Sequence, residues 1–247
     1  MALPPGGSFL SVVDFPQPAG ASYGPHGHVP GFVYVLSGKA TITDENGSEM
    51  VVEAGEGHFI PALGVHDHKN SGNRLPAGAL AVGLVVAVIA LVLIAASHRA
   101  PAALVPVMLA AIIAGGAVAF WDPWKNDWFF IAARPESFRG AHLPIPGAAR
   151  TYESPAFSRV PPGPYTESLA TTTVDPGGQM EAPEAPGPVV FLVLDGRTDV
   201  IGRNQEPIRL GHHEATLVQT GESVRIENPS DTALRLLRFA LTPAGSS

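Results

Sequence analysis

The feature that most constrains this chain is that it carries one pattern twice. Phe32-Val33-Tyr34-Val35-Leu36-Ser37-Gly38 returns as Val190-Phe191-Leu192-Val193-Leu194-Asp195-Gly196, at an offset of 158. The same offset pairs Gly20 with Gly178, Ile60 with Val218 and Asn70 with Asn228. One ungapped offset sustained over about 50 residues marks two copies of one domain. A chain of 247 residues has room for about two small domains, so the copies account for most of it.

Each copy reads as β structure. Strand-like runs at 9–15, 31–36 and 39–43 are broken by Asn46-Gly47 and Gly55-Glu56-Gly57, and the second copy supplies 167–174, 189–194 and 233–241. The 25 Pro and 27 Gly suit many short strands and turns, while 45% hydrophobic residues argue against disorder. Short strands at regular spacing imply a sandwich or jelly roll. A net charge of −7 without a Lys/Arg run excludes a nucleic-acid partner. With no cysteine, any bound metal must be held by His or carboxylates. Residues 1–20 contain no charged segment followed by an apolar one, so no signal peptide is expected.

The two copies differ by an insertion. After Asn228 a short turn leads to a last strand at 234–240, whereas after Asn70 the matching strand comes only at 127–133. Between them, 75–97 and 100–121 are free of charge and flank His98-Arg99. About 20 apolar residues suffice for one membrane span. The expectation is therefore an α-helical transmembrane hairpin over 74–124, with Phe120, Trp121, Trp124 and Trp128 as an interfacial belt. A hairpin buried in a soluble domain is disfavoured, because neither helix has a polar stripe. Lys69, Arg74, Lys125 and Arg134 flank the block and only Arg99 lies in its turn, which predicts an integral membrane protein with both barrels cytoplasmic. The expected domains are a first barrel over 1–73, completed by a last strand at 125–135, a Pro/Gly-rich linker over 136–164 and a second barrel over 165–247.

The chemistry concentrates in the first copy. Gly20-x5-His26-x-His28 precedes Gly38; downstream come Gly55-x5-Pro61 and Gly64-Val65-His66-x3-Asn70. His26 and His28 alternate with Gly27, so on a strand they share a face. In a small barrel that face meets His66, and three imidazoles leave further metal positions open. These residues resemble the two signature motifs of the cupin superfamily, G-x5-H-x-H-x(3,4)-E-x6-G and G-x5-P-x-G-x2-H-x3-N. The resemblance implies an all-β chain of two cupin-like jelly-roll barrels, a bicupin-like arrangement, with the helical hairpin inserted in the first. It also implies that His26, His28 and His66 are metal ligands, with His68 and His58 as accessory candidates. The family's glutamate ligand falls at Gly31, and Phe32 and Val33 beside it are also non-ligating. The expected cofactor is one divalent transition metal, Fe, Mn, Zn, Ni or Cu.

In the second copy the offset places Glu184, Pro186 and Val224 at the three histidine positions, and His212 and His213 lie elsewhere. That barrel is expected to be degenerate and structural; the alternative is a metal-free ligand pocket with Glu184 or Glu181 at its mouth. Two functions follow. One is a membrane-anchored, metal-dependent oxygenase-type enzyme; the other is a non-catalytic binding, sensing or scaffold module on the membrane. No catalytic residue is assigned. Expected partners are the lipid bilayer, a small-molecule ligand and a second copy of the chain in a homo-oligomer.

Overall fold

The computed structural model describes residues 3, 7–62, 64–70, 88, 126–143, 145–158, 160, 163–203 and 205–245. The first copy supplies β1 (Ser8–Gln17), β2 (Gly31–Ser37), β3 (Lys39–Asp44), β4 (Glu49–Glu53), β5 (Gly57–Ile60), β6 (His66–Lys69) and β7 (Asn126–Pro135). A single 3-10 turn, Glu136–Phe138, and β8 (Ala149–Glu153) follow. The second copy supplies β9 (Tyr165–Val174), β10 (Gln179–Ala182), β11 (Val189–Asp195), β12 (Thr198–Gly202), β13 (Ile208–Leu210), β14 (Ala215–Val218), β15 (Val224–Glu227) and β16 (Leu234–Pro243).

Each copy folds into two facing antiparallel sheets. Sheet β5-β2-β7-β1-β8 packs on β4-β3-β6, and sheet β14-β11-β16-β9 packs on β10-β15-β12-β13. The strand orders correspond, with β5, β2, β7 and β1 in the places of β14, β11, β16 and β9. Within the linker region, β8 adds itself to the edge of the first barrel by pairing with β1.

The sequence of the central strands follows from burial on both faces. A strand with one wet face alternates apolar and polar residues, whereas one covered on both sides reads as a continuous apolar run. In β7, Trp128, Phe130 and Ala132 turn into the first barrel beside Phe15, Val33 and Val35. Phe129, Ile131 and Ala133, on the opposite face, join Leu10, Leu192, Leu237 and Phe239 in an apolar layer between the barrels. β11 is divided in the same way: Phe191 and Val193 fill the second barrel while Val190, Leu192 and Leu194 face the first. Phe32 meets Phe239 edge-on across this layer at 6.2 Å.

The repeated polar residues close the strand ends. Asn70 Nδ2 donates to the carbonyl of Gln17 at 3.0 Å. Asn228 Nδ2 donates to those of Val174, Asp175 and Thr232 at 3.1, 3.0 and 2.8 Å. Both asparagines are buried, and each satisfies carbonyls that the ladders leave free. Gly38 turns the chain from β2 to β3 at φ +78°; a Cβ there would collide with Asn126 Oδ1, which accepts the Lys39 N–H at 2.8 Å.

The expectation of a transmembrane helical hairpin is corrected. Among the described residues no helix is long and apolar enough to cross a membrane. The segment 74–124 lies, apart from Val88, outside the described residues. Apolarity alone carried that expectation, and a span requires a continuous helix of about 20 residues as well. The membrane anchor and the membrane localisation fall with it. Two supports of the argument were also misplaced. Trp128 is no interfacial residue but lies 1% exposed in the first barrel, and Arg134 is an inward-facing residue of β7 rather than a juxtamembrane charge.

One carboxylate is set into the layer between the barrels. Glu167 lies on β9 between Tyr165 and Leu169, which pack on that layer, and both of its oxygens are buried without a partner among the described residues. Burial pushes its carboxyl from 4.5 up to about 7. The folded chain thus holds a proton that the unfolded chain has released between these values, so stability declines as pH rises through that window. The buried neutral histidines of the first barrel tilt stability the other way, so the Glu167 contribution is read as the difference in urea stability between wild type and Glu167→Gln. That difference should shift against the wild type by on the order of 1 kcal/mol between about pH 5 and 7.5, allowing for partial solvent screening. A difference that stays constant across that range would place the titration elsewhere.

Candidate metal centre

Two short strand segments bring four histidines together. His66 and His68 stand two apart on β6, which puts both on its inward face, where they are 5% and 1% exposed. His26 pairs with His66 across an isolated bridge. The His26 N–H donates to the His66 carbonyl at 2.9 Å, and the His66 N–H returns the bond at 3.0 Å. Directly paired residues share a face, and His28 follows His26 by two. The ring centroids of His66 lie 4.8 Å from His26, 4.7 Å from His28 and 4.8 Å from His68. One nitrogen from each of the four lies within 4.8 Å of all the others.

The rings are oriented as well as gathered. The Nδ1 atoms of His26, His28 and His66 lie 2.8, 2.6 and 2.8 Å from the carbonyls of Gly24, Val29 and Gly64. A carbonyl only accepts, so each Nδ1 carries the proton and each Nε2 presents a lone pair. This is the outer-shell bond that fixes metal-binding imidazoles. His66 Nε2 and both ring nitrogens of His68 are buried without a hydrogen-bond partner among the described residues. Such orphaned nitrogens are costly unless something ligates them. Burial pulls His28 down to about 4 and lowers His66, while His68 falls well below 6.5 through burial and then its neighbouring histidines. These rings are therefore neutral at neutral pH, the form that binds metals.

Aromatic residues of β1 and β7 set the floor. His68 stacks on Trp128 at 4.5 Å, Trp128 stacks on Phe15 at 4.4 Å, and His28 lies 4.2 Å from Phe130. Beside the four rings opens a cavity of about 410 Å³, walled by Tyr23, Val29, Phe138, Leu143 and Ile145, with Arg134 and His142 also reaching it.

The structure thus brings together His26, His28, His66 and the accessory candidate His68, and leaves His58 apart from the group. His58 sits on β5 opposite Val33. The position expected for a glutamate ligand is physically closed. A Cβ on Gly31 would lie 2.6 Å from the Ile131 carbonyl oxygen, 2.8 Å from Phe130 and 2.9 Å from Ala132. β7 packs where that side chain would project, and the fourth side chain near the three expected histidines is His68. Arg134 was missed as a site residue; its two-residue spacing from Trp128, Phe130 and Ala132 was the available signal.

The second barrel has no such group among its described residues. His26 pairs with His66 where Ala182 pairs with Val224, so the register differs by two from the ungapped offset, and Ile226 stands at His68. Glu181 and Glu184 border a pocket of about 290 Å³ there. His212 and His213 stack at 3.8 Å beside the inter-barrel layer, where His213 meets Phe129.

Two facing β-sheets per copy, closed around a histidine cluster in the first, define a double-barrel protein of the jelly-roll class. The cupin domain family matches residues 13–83. No curated protein matches the chain. Among solved structures it is similar to AerE from Microcystis aeruginosa, at 12% identity and TM-score 0.53, over 95% of this chain and 87% of that one. It is also similar to the Lactobacillus farciminis oxalate decarboxylase in complex with formate, at 15% identity and TM-score 0.52, over 97% and 78%. A third is the Bacillus subtilis oxalate decarboxylase studied for its Mn(II) centres, at 15% and 0.50, over 97% and 70%. At these identities the likeness establishes fold alone. Residues 13–83 of the first barrel match the cupin domain family, and the chain as a whole shares the double-barrel fold of these structures. Its histidine group could hold a divalent metal ion.

The closed space at Gly31 gives a direct check. Gly31→Ala should lower stability by about 1–3 kcal/mol, the usual cost of overpacking, and Gly31→Glu by more. Thermal melts measure both; a Gly31→Glu variant as stable as the wild type would contradict the packing described.

Proposed function

We propose that the first barrel is a metal centre for small-molecule chemistry, in which His26, His28, His66 and His68 hold one divalent transition metal. The observation that carries this is the convergence of four imidazoles, three with Nδ1 tied to carbonyls, on one point beside a cavity. Metal–nitrogen bonds of about 2.1 Å set nitrogen separations of roughly 3–4 Å, so small rotations of the rings close the 4.8 Å spread. When bound, such an ion supplies a Lewis-acid position for a ligand atom in the cavity. The chain's own residues orient the ligand, and the aromatic walls exclude water.

Which metal is held decides between enzyme and binding module. Four nitrogens close a tetrahedral ion such as Zn, leaving nothing for a substrate. On a six-coordinate Fe or Mn they would leave two further positions for a ligand, as an oxygenase-type reaction needs. The Mn(II) of the similar oxalate decarboxylase and the cavity beside the rings favour the open, six-coordinate case. The absence of any Asp or Glu from the described cavity lining favours a reaction that needs no carboxylate base. The second barrel serves in this reading as the partner that covers the outer face of the first.

Elemental mass spectrometry on untagged protein should find about one Fe or Mn per chain. His26→Ala/His28→Ala should abolish it while leaving the β circular dichroism unchanged. Stoichiometric metal retained by that variant would overturn the ligand assignment. Stoichiometric zinc in place of Fe or Mn would move the reading to a closed, non-catalytic site.

A further inference from the structure

Arg134 reaches the cavity beside the four histidines, and the one carboxylate acting on it among the described residues, Glu153, is shared with Arg150. Residues 128, 130, 132 and 134 of β7 share its inward face, which places Arg134 at the end of the row after Trp128, Phe130 and Ala132. Its Nε is fully buried and has no hydrogen-bond partner among the described residues, nor does the side chain form an ion pair with any of them. The nearby carboxylate of Glu153 is engaged elsewhere: its Oε1 lies 2.9 Å from Arg150 Nε and accepts the Gly140 N–H at 3.4 Å. A half-buried guanidinium without an ion pair of its own is costly, and proteins retain one where an anion arrives to meet it.

The surroundings narrow that anion. Arg134 Cζ lies 5.9 Å from the centroid of Phe130, and the ring of His28 lies 4.2 Å from the same centroid. Guanidinium and imidazole cluster thus flank one aromatic side chain, within reach of the two ends of a small molecule. A planar guanidinium matches a carboxylate bidentately. No Asp or Glu is among the described residues lining the cavity, so nothing there repels an acid. Phe138, Leu143 and Ile145 make the rest of the wall apolar, which penalises a bare dianion and favours an apolar body.

We propose that Arg134 is the carboxylate-binding residue of this cavity, and that the protein takes a small carboxylic acid with an apolar body, its acid group on Arg134. This deepens the metal-centre reading and rests on it only for the ligand's second contact; the Arg134 contact stands without metal. Isothermal titration of metal-free and metal-loaded protein with 3-phenylpropionate, hexanoate, oxalate and the uncharged 3-phenylpropanol tests it. Both apolar acids should bind both forms; to the metal-free form, where chelation plays no part, oxalate and 3-phenylpropanol should bind more weakly. Arg134→Gln should weaken the acids roughly tenfold or more, as for loss of a charge-assisted pair, and leave 3-phenylpropanol unchanged. Arg134→Lys should recover part of the loss. The variants' metal content and melting temperature should match the wild type, which separates a binding role from a structural one.

No binding of either apolar acid would overturn the proposal. So would equal binding by wild type and Arg134→Gln, or oxalate binding the metal-free protein more tightly than hexanoate. Acid binding that depends on Arg134 in a protein that takes up no metal would leave the proposal standing and defeat the metal-centre reading alone.

Discussion

Burial of the sheet β5-β2-β7-β1-β8 on both faces is the constraint from which the rest follows. A sheet covered twice can hold no polar stripe, and its central strands must be apolar at almost every position. In β7 alternate residues then do different work. Phe129, Ile131 and Ala133 seal the first barrel to the second, while Trp128 and Phe130 form the floor beneath the histidines. The inter-barrel layer therefore holds the site rigid from behind. Trp128 is trapped between Phe15 and His68, so the His68 ring has little freedom to turn away.

The site itself is built on strand pairing. His26 and His66 are a backbone pair, and His28 and His68 each stand two residues further along their segments. Backbone geometry thus sets the relative positions of all four side chains, and the carbonyls of Gly24, Val29 and Gly64 set the tautomers of three. A carboxylate ligand is sterically excluded at Gly31, and the four side chains that could hold an ion are all imidazoles. A divalent ion held by them alone would keep its double charge in the cavity and, with Arg134, would make the pocket attractive to acids.

Much of this was legible in the sequence, for reasons specific to particular residues. The offset of 158 predicts the correspondence of β2 with β11, β5 with β14 and β6 with β15 residue for residue, because those strands have equal lengths. The insertion falls between β6 and β7, as the delayed last strand of the first copy requires. The two-residue spacing of His26 and His28 and the position of His66 bring three of the four rings to one place. Other features lie beyond such patterns. β8 arises from a Pro/Gly-rich stretch whose pairing with β1 is a tertiary matter. The two-residue slip opposite Val224 depends on loop lengths that an ungapped offset ignores. The closure at Gly31 depends on how tightly β7 approaches β2. Arg134 was misread, along with Trp128, because hydropathy assigned both to a membrane flank, whereas strand alternation turns both inward.

The central claim is that four imidazole nitrogens, and no carboxylate, surround one metal in the first barrel. X-ray absorption at the K-edge of the metal bound to purified wild-type protein tests it most directly. The predicted spectrum has a first shell of nitrogen and oxygen at about 2.1 Å with the outer-shell scattering of about four imidazole rings. Scattering from two or fewer rings, or a first shell made mainly of carboxylate oxygen, would contradict the account.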